Sequence, residues 1–366
     1  MFETAAGDRH AGPQALGSPR WDWQDVRRVL VVRLRSIGDT VLTTPALFAL
    51  RRFLPRARID ILLEDWVAPV LDGFEHVDSV ITFQRNSTLA RMRAARKVRQ
   101  MGYDVVYNLH GGTTATLLTR ASGAKHRVGF GHYQYSSLHN HLAPSAAELW
   151  GSPKLHSVEQ QLALLGWTGV PVTDRPPTRL ALTTQADASV TEKVRGSGLE
   201  GTRPFAVIHP AASYKTKQWS VDKFARVTEQ LAARGLPSIA IAAANEGEIL
   251  AQLEKHSAVA VLKLTNLALP EITALTARAR LFVGNDSGIA HIAAAAGAPS
   301  VVIFGSSNVT HWRPWTTQAN EIVREELPCQ PCHGYFCAEF EKPECIMRVP
   351  VERVVGAIDR VLRESV

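Results

Sequence analysis

Short apolar runs, each closed by small polar residues and followed by a stretch of helical spacing, recur along most of this chain. In the first half the runs fall at residues 29–34, 59–63, 80–82, 105–109 and 128–130, with helical patterns at 41–53 and 89–101. In the second half they fall at 205–209, 238–243, 259–264, 281–284 and 300–304, separated by helical patterns at 221–234, 247–255, 270–279 and 289–296. Continuous apolar runs of this length suit strands covered on both faces of a parallel sheet. Their alternation with helices predicts an α/β protein. The stretch Val170-Pro171-Val172-Thr173-Asp174-Arg175-Pro176-Pro177 is the strongest linker signal. The expected architecture is two Rossmann-like domains whose parallel sheets face a central cleft, with ligands held beyond the carboxyl ends of the strands. The expected boundaries are a disordered tail at 1–24, a first Rossmann-like domain at 25–175, a second at 176–349 and a C-terminal helix at 350–366.

Several strand ends carry chemistry. The run Gly284-Asn285-Asp286-Ser287-Gly288-Ile289-Ala290-His291 leads from an apolar strand into an Ala-rich helix. The first turn of such a helix has free N–H groups and the positive end of the macrodipole, which attract phosphate. Asp286 and Ser287 stand where an N-cap belongs, Gly288 permits close backbone approach, and His291 lies one turn inside. A nucleotide-diphosphate cradle and an ordinary capped connection both fit this segment. Near the N-terminus, Arg35-Ser36-Ile37-Gly38-Asp39-Thr40 follows the first strand, and Gly38 allows a tight turn. Asp39 suits a helix cap, and it also suits an active-site carboxylate at a strand end.

After the strand at 205–209, His209-Pro210-Ala211-Ala212-Ser213 runs into Tyr214-Lys215-Thr216-Lys217-Gln218-Trp219, placing lysines where a pyrophosphate would gain charge. A solvated basic loop is the alternative. Glu246, just past the strand at 238–243, fits either a ribose-binding carboxylate or a helix cap. His110-Gly111-Gly112 follows another strand of the first half, either as a border of an acceptor site or as a turn.

The composition, 45% hydrophobic and 20% charged over 366 residues, is that of a globular protein with ample core for two domains. No apolar stretch approaches the roughly 20 residues of a membrane span, and the N-terminal segment lacks a signal-peptide core. The expectation is a cytoplasmic protein, peripheral at most. A net charge of +7 fits an anionic substrate or membrane surface. The basic residues are not interleaved with stacking aromatics, which argues against nucleic acid.

Three segments together resemble glycosyltransferase family 9, the bacterial lipopolysaccharide heptosyltransferases, with likeness from about Arg28 to Leu362. They are Arg35 through Leu47, Lys217-Gln218-Trp219, and Gly284 through Pro299. The resemblance implies a GT-B fold and an inverting, metal-independent transfer of heptose from ADP-heptose to a lipid A-linked lipopolysaccharide core, at the cytoplasmic face of the inner membrane. It implies Asp39 as general base and Lys217 as the cation on the departing diphosphate. Asp286, Ser287, Gly288 and His291 would hold diphosphate and sugar, and Glu246 the nucleoside. Ser213 and Thr216 are further phosphate candidates, and Gly38 and His110 lie toward the acceptor. The chain departs from the family pattern at Ala211, Ala243 and Ala244, where added methyls limit backbone approach. A transferase of the same fold with another nucleotide sugar or a protein acceptor is the alternative, as is a non-catalytic nucleotide-sugar-binding protein.

All four cysteines cluster at Cys329, Cys332, Cys337 and Cys345. Four thiolates fit a structural zinc or iron site. Free thiols or a redox disulfide are the other reading, and the expected transfer needs no cofactor in either case. In the helical stretch 89–101, Arg93, Arg96, Lys97 and Arg99 fall on one side, and Ala94, Ala95, Val98 and Met101 on the other. That stripe is either a solvated face or a contact to acidic lipid head groups or a phosphorylated glycolipid acceptor.

Overall fold

The computed structural model describes residues 12–197, 199, 204–332 and 334–365. The chain forms two compact units. One comprises Met1–Leu34, Pro45–Leu63 and His76–Pro176, and the other Arg35–Thr44, Glu64–Glu75 and Pro177–Val366.

The first unit is built on six strands, β1 (Arg28–Leu34), β2 (Arg58–Glu64), β3 (Ser79–Phe83), β4 (Val105–Asn108), β5 (His126–Phe130) and β6 (His141–Ala143). They form a parallel sheet in the order β3-β2-β1-β4-β5-β6. β1 and β2 are buried along all but their first residue, as expected of strands covered on both faces. On one face Leu30, Val32, Val106 and Leu118 pack with Ala94 and Val98 of the helix Thr88–Gln100. β6 went unpredicted because it is three residues long with an exposed Leu142.

Residues 1–11 of the expected tail lie outside the described residues. Residues 14–23 are docked on the first unit. Leu16 donates its N–H to the Gly166 carbonyl, Trp23 Nε1 donates to the Thr168 carbonyl, and Trp21 stacks on His126 at 4.4 Å between ring centres. The Gly, Pro and Arg content of this stretch hid three apolar anchors.

The second unit repeats the plan with β7 (Ala206–His209), β8 (Ser238–Ile241), β9 (Leu262–Leu264), β10 (Leu281–Asn285), β11 (Ser300–Phe304) and β12 (Asn320–Arg324). The order is β12-β11-β10-β7-β8-β9. Counted from its own first strand, each sheet therefore runs 3-2-1-4-5-6, the doubly wound order of mononucleotide-binding folds. Its core joins Ile208, Val283, Ile303 and Trp219 to the C-terminal helix Val351–Glu364 through Val354, Ile358 and Val361.

The helical pattern at 41–53 is two helices, Ile37–Val41 and Thr44–Phe53. Pro45 accounts for the break, since it has no N–H and disfavours continuous helix before it. The short first helix packs with the second unit, against the helix Gly288–Ala295.

Candidate active site

β10 and β7 are the adjacent strands at which the order of the second sheet reverses. That reversal opens a crevice at the carboxyl ends of the strands, where ligands of such sheets bind. Loops following β7, β10 and β11 line a cavity of about 480 Å³ there, together with Ser36, Gly38 and Asp39. Every lining residue belongs to the second unit.

The turn after β10 is locked from below. Asn285, fully buried, accepts the Trp219 N–H at 3.1 Å and donates to the Pro210 carbonyl at 2.8 Å, tying the end of β10 to the lysine loop. Trp219 is itself anchored through Nε1 to the Val349 carbonyl at 3.0 Å. Ser287 caps the helix Gly288–Ala295, its side chain accepting from Ala290 N. The free N–H groups of that first turn open on the cavity beside Ser287 and Gly288.

Lys217 Nζ lies 2.8 Å from Asp286 Oδ2, and Ser307 Oγ donates to the same carboxylate oxygen. Across the cavity, Asp39 Oδ2 accepts from Ser36 N at 3.2 Å and Ser36 Oγ at 2.9 Å, a capping box that fixes the carboxylate. Gly38 and Gly288 make this approach possible. A Cβ on Gly38 would lie 2.7 Å from His291 Cδ2, and one on Gly288 would lie 2.9 Å from Ile37 Cβ.

His291 is buried, and its Nδ1 has no hydrogen-bond partner among the described residues. Desolvation lowers its pKa, opposed by the nearby carboxylates of Asp286 and Asp39. It is thus a neutral imidazole lining the cavity, with Nδ1 itself buried. His209, behind Ser287, is driven down to about 4 by burial and is also neutral.

The structure gathers Gly38, Asp39, Ser213, Lys217, Asp286, Ser287, Gly288 and His291 around one cavity. Thr216 stands behind the wall. It is buried, its hydroxyl accepting from Ser306 Oγ at 3.0 Å and donating to the Gly334 carbonyl. Glu246 is not among the lining residues. It caps its own turn, accepting the Ala243 N–H at 3.1 Å, and it follows β8, one strand away from the reversal. His110 lies in the first unit, its N–H donating to Asn108 Oδ1 at 3.1 Å.

The cavity is also lined by Ser306, Ser307 and Asn308, which are not among the residues expected from the sequence. Their signal was the one used elsewhere, a strand (β11) ending in Gly305-Ser306-Ser307-Asn308 before a helix capped by Asn308. Tyr214 and Tyr335 form an edge-to-face aromatic pair on the rim, 4.4 Å between ring centres.

Cys332 lines the cavity and Cys345 is buried. Burial, reinforced by the three other thiols, raises the Cys345 thiol to about 11, so the four cysteines lie within electrostatic reach of one another. They are not arranged as a ligand set. Among the described residues no three His, Cys, Asp or Glu side chains stand close enough to hold a metal.

The profile of glycosyltransferase family 9 (heptosyltransferase) matches residues 91–342, more than half of the chain. Lipopolysaccharide heptosyltransferase 3 of Escherichia coli K12 is 27% identical over 349 residues, covering 91% of this chain and 97% of that protein. Among solved structures, a family 9 glycosyltransferase of Veillonella parvula aligns with a TM-score of 0.80 at 19% identity, covering 93% of this chain and 98% of that one. E. coli ADP-heptose lipopolysaccharide heptosyltransferase II aligns with a TM-score of 0.75 at 22% identity, covering 92% and 98%. The fold is the GT-B architecture expected from the sequence.

Proposed function

Because the chain belongs to glycosyltransferase family 9, the heptosyltransferases, we propose that it moves heptose from ADP-heptose to a lipopolysaccharide inner-core acceptor, with inversion and without a metal. One observation carries this reading. A single cavity holds a carboxylate fixed for proton transfer, Asp39, and a lysine beside a helix N-terminus, Lys217 with Ser287 and Gly288.

In the proposed reaction the acceptor hydroxyl oxygen forms a bond to the anomeric carbon as the bond from that carbon to the diphosphate oxygen breaks. The acceptor proton passes to Asp39, and the electron pair leaves with ADP. General-base assistance of this kind is worth about 10²–10⁴ in rate. Charge then builds on the departing diphosphate, where the Lys217 ammonium and the free N–H groups at Gly288 stabilise it. The ring of neutral His291 lines the same cavity and contacts the sugar or the phosphate in this proposal. Ser213 lines the same cavity and serves the phosphate in this proposal. Thr216 serves by holding the Lys217 turn against Ser306. No step runs through the cysteine cluster.

No helix among the described residues is long and apolar enough to cross a membrane. The acceptor is lipid-linked in this proposal, and the enzyme works at the cytoplasmic face of the inner membrane.

Calorimetric titration of the protein with ADP, UDP and GDP, without added metal, tests the donor. Adenine-selective binding that Lys217→Ala weakens is expected, followed by turnover of ADP-heptose. Selective binding of UDP or GDP overturns the donor assignment. Binding of ADP without any transfer to core acceptors overturns the enzymatic reading.

A further inference from the structure

The excess positive charge of this chain sits in one stretch. Between Ser79 and Ala147 there are nine Lys and Arg residues and one acid, Asp104, a balance of +8. The whole chain carries 41 basic and 34 acidic residues, so the remainder, with 32 and 33, balances at −1. The one acid is already engaged, its carboxylate accepting the N–H groups of Arg27 and Arg28.

The helix Thr88–Gln100 holds five of the nine cations and no acid. Its inner face is settled: Ala94 and Val98 are buried, with Ala90 and Ala95 packed beside them. Its outer face carries Arg93, Arg96 and Arg99, and also Leu89 and Met92, which are 55% and 64% exposed. The adjacent helix Thr113–Ala121 adds Leu117, 53% exposed, and the exposed Arg120. The Arg99 guanidinium lies against Gly123 at the end of that second helix, so the two helices share one surface.

Elsewhere several exposed arginines are paired, as Arg234 is with Asp359, Arg353 with Glu325 and Arg360 with Glu321. Arg93, Arg96 and Lys97 form no ion pair among the described residues. Long apolar side chains interleaved with unpaired cations on a helix lying along the surface suit a lipid interface. The apolar groups enter the acyl boundary there, and the cations meet anionic head groups. The two helices contain no aromatic residue on which a nucleic-acid base would stack.

We infer that the outer face of the helices Thr88–Gln100 and Thr113–Ala121 docks the protein on an anionic lipid bilayer. The inference rests on the proposed function only in that a lipid-linked acceptor gives docking a purpose. The test uses neither donor nor acceptor, so the two fail separately.

The full-length protein is sedimented with vesicles of phosphatidylcholine alone and of equal parts phosphatidylcholine and phosphatidylglycerol. Binding to the mixed vesicles only, weakened by salt, is expected. Arg93→Gln, Arg96→Gln and Lys97→Gln together lower partitioning on the order of a hundredfold, from roughly five-fold per cation. Leu89→Ser with Met92→Ser lowers it with all charges kept. The control Arg226→Gln, Lys255→Gln and Arg363→Gln, the same charge change on exposed sites of the second unit, leaves it unchanged. Thermal melts verify that each variant is folded. The inference is overturned if the wild type ignores mixed vesicles, or if the control triple weakens binding as much as the helix triple. Loss to a single-stranded oligonucleotide in preference to vesicles overturns it equally.

Discussion

Lys217 Nζ lies 2.8 Å from Oδ2 of Asp286, a carboxylate only 5% exposed that also accepts from Ser307. The cation proposed to stabilise a departing diphosphate is therefore already neutralised, and an anionic ligand must share it with Asp286. Removing it has two separable consequences.

Lys217→Ala weakens ADP binding by about tenfold to a hundredfold, the value of a charged hydrogen bond of roughly 1.5–3 kcal/mol. It also leaves Asp286 buried with Ser307 as its remaining side-chain donor, which costs about 1–3 kcal/mol of stability. Urea unfolding of Lys217→Ala, Asp286→Asn and the double variant forms a cycle. The double variant is expected to be more stable than Lys217→Ala alone. A loss in the double variant equal to the sum of the two single losses would mean that the pair contributes nothing to folding.

Gly38 and Gly288 set how closely the Asp39 loop approaches the helix Gly288–Ala295. Gly288→Ala would place a Cβ 2.9 Å from Ile37 Cβ and 3.2 Å from Gly38 N, and the backbone has to move. Overpacking of this kind costs about 1–3 kcal/mol. The expected result is a fall in kcat through displaced Asp39, with ADP affinity less affected. Gly247→Ala is the control, its nearest atom being 3.9 Å away. Steady-state kinetics and thermal melts of the two variants, compared side by side, decide the point.

His209 links stability to pH. Burial holds it neutral in the folded protein, with its pKa down at about 4, whereas an unfolded histidine titrates near 6.5. Between those values the unfolded chain binds more protons, so stability rises with pH through the window. The contribution is full above about pH 6.5 and is lost as pH falls toward about 4, a total of roughly 3 kcal/mol. Urea midpoints of the wild type and His209→Gln across that range show it. The wild type is expected to lose stability more steeply on acidification, and parallel curves would refute the assignment.

Much of this site was legible because the signal was local. Asp286, Ser287 and Gly288 sit between an apolar run and an Ala-rich helix, and Lys217 stands two residues before a tryptophan in a strand-end loop. What chain order does not contain is strand order. Glu246 follows an apolar run as convincingly as Ser213 does, yet β8 lies one place beyond the reversal and its loop misses the cavity. Ser307 was overlooked for the converse reason, since β11 proves to be the neighbour of β10. Asn285 read as part of a turn, but its role depends on Pro210 and Trp219, more than sixty residues away. The packing of the segment Arg35–Thr44 with the second unit was equally invisible, because it rests on two glycines meeting across 250 residues of sequence.

Asp39 separates an enzyme from a binding protein. Its carboxylate is held by Ser36 N and Ser36 Oγ, so Asp39→Asn retains the shape of the cap while removing the proton acceptor. Turnover is expected to fall by about 10²–10⁴, the range for loss of a general base. ADP affinity, carried by Lys217 and the helix start at Gly288, is expected to hold. Ser36→Ala gives an intermediate case. It removes the Ser36 Oγ bond to the carboxylate, so kcat drops less than in Asp39→Asn while the donor constant stays put. Single-turnover rates beside calorimetric ADP constants for the three proteins separate these effects. A variant of Asp39 that turns over at the wild-type rate would remove it from the chemistry and leave it a helix cap alone.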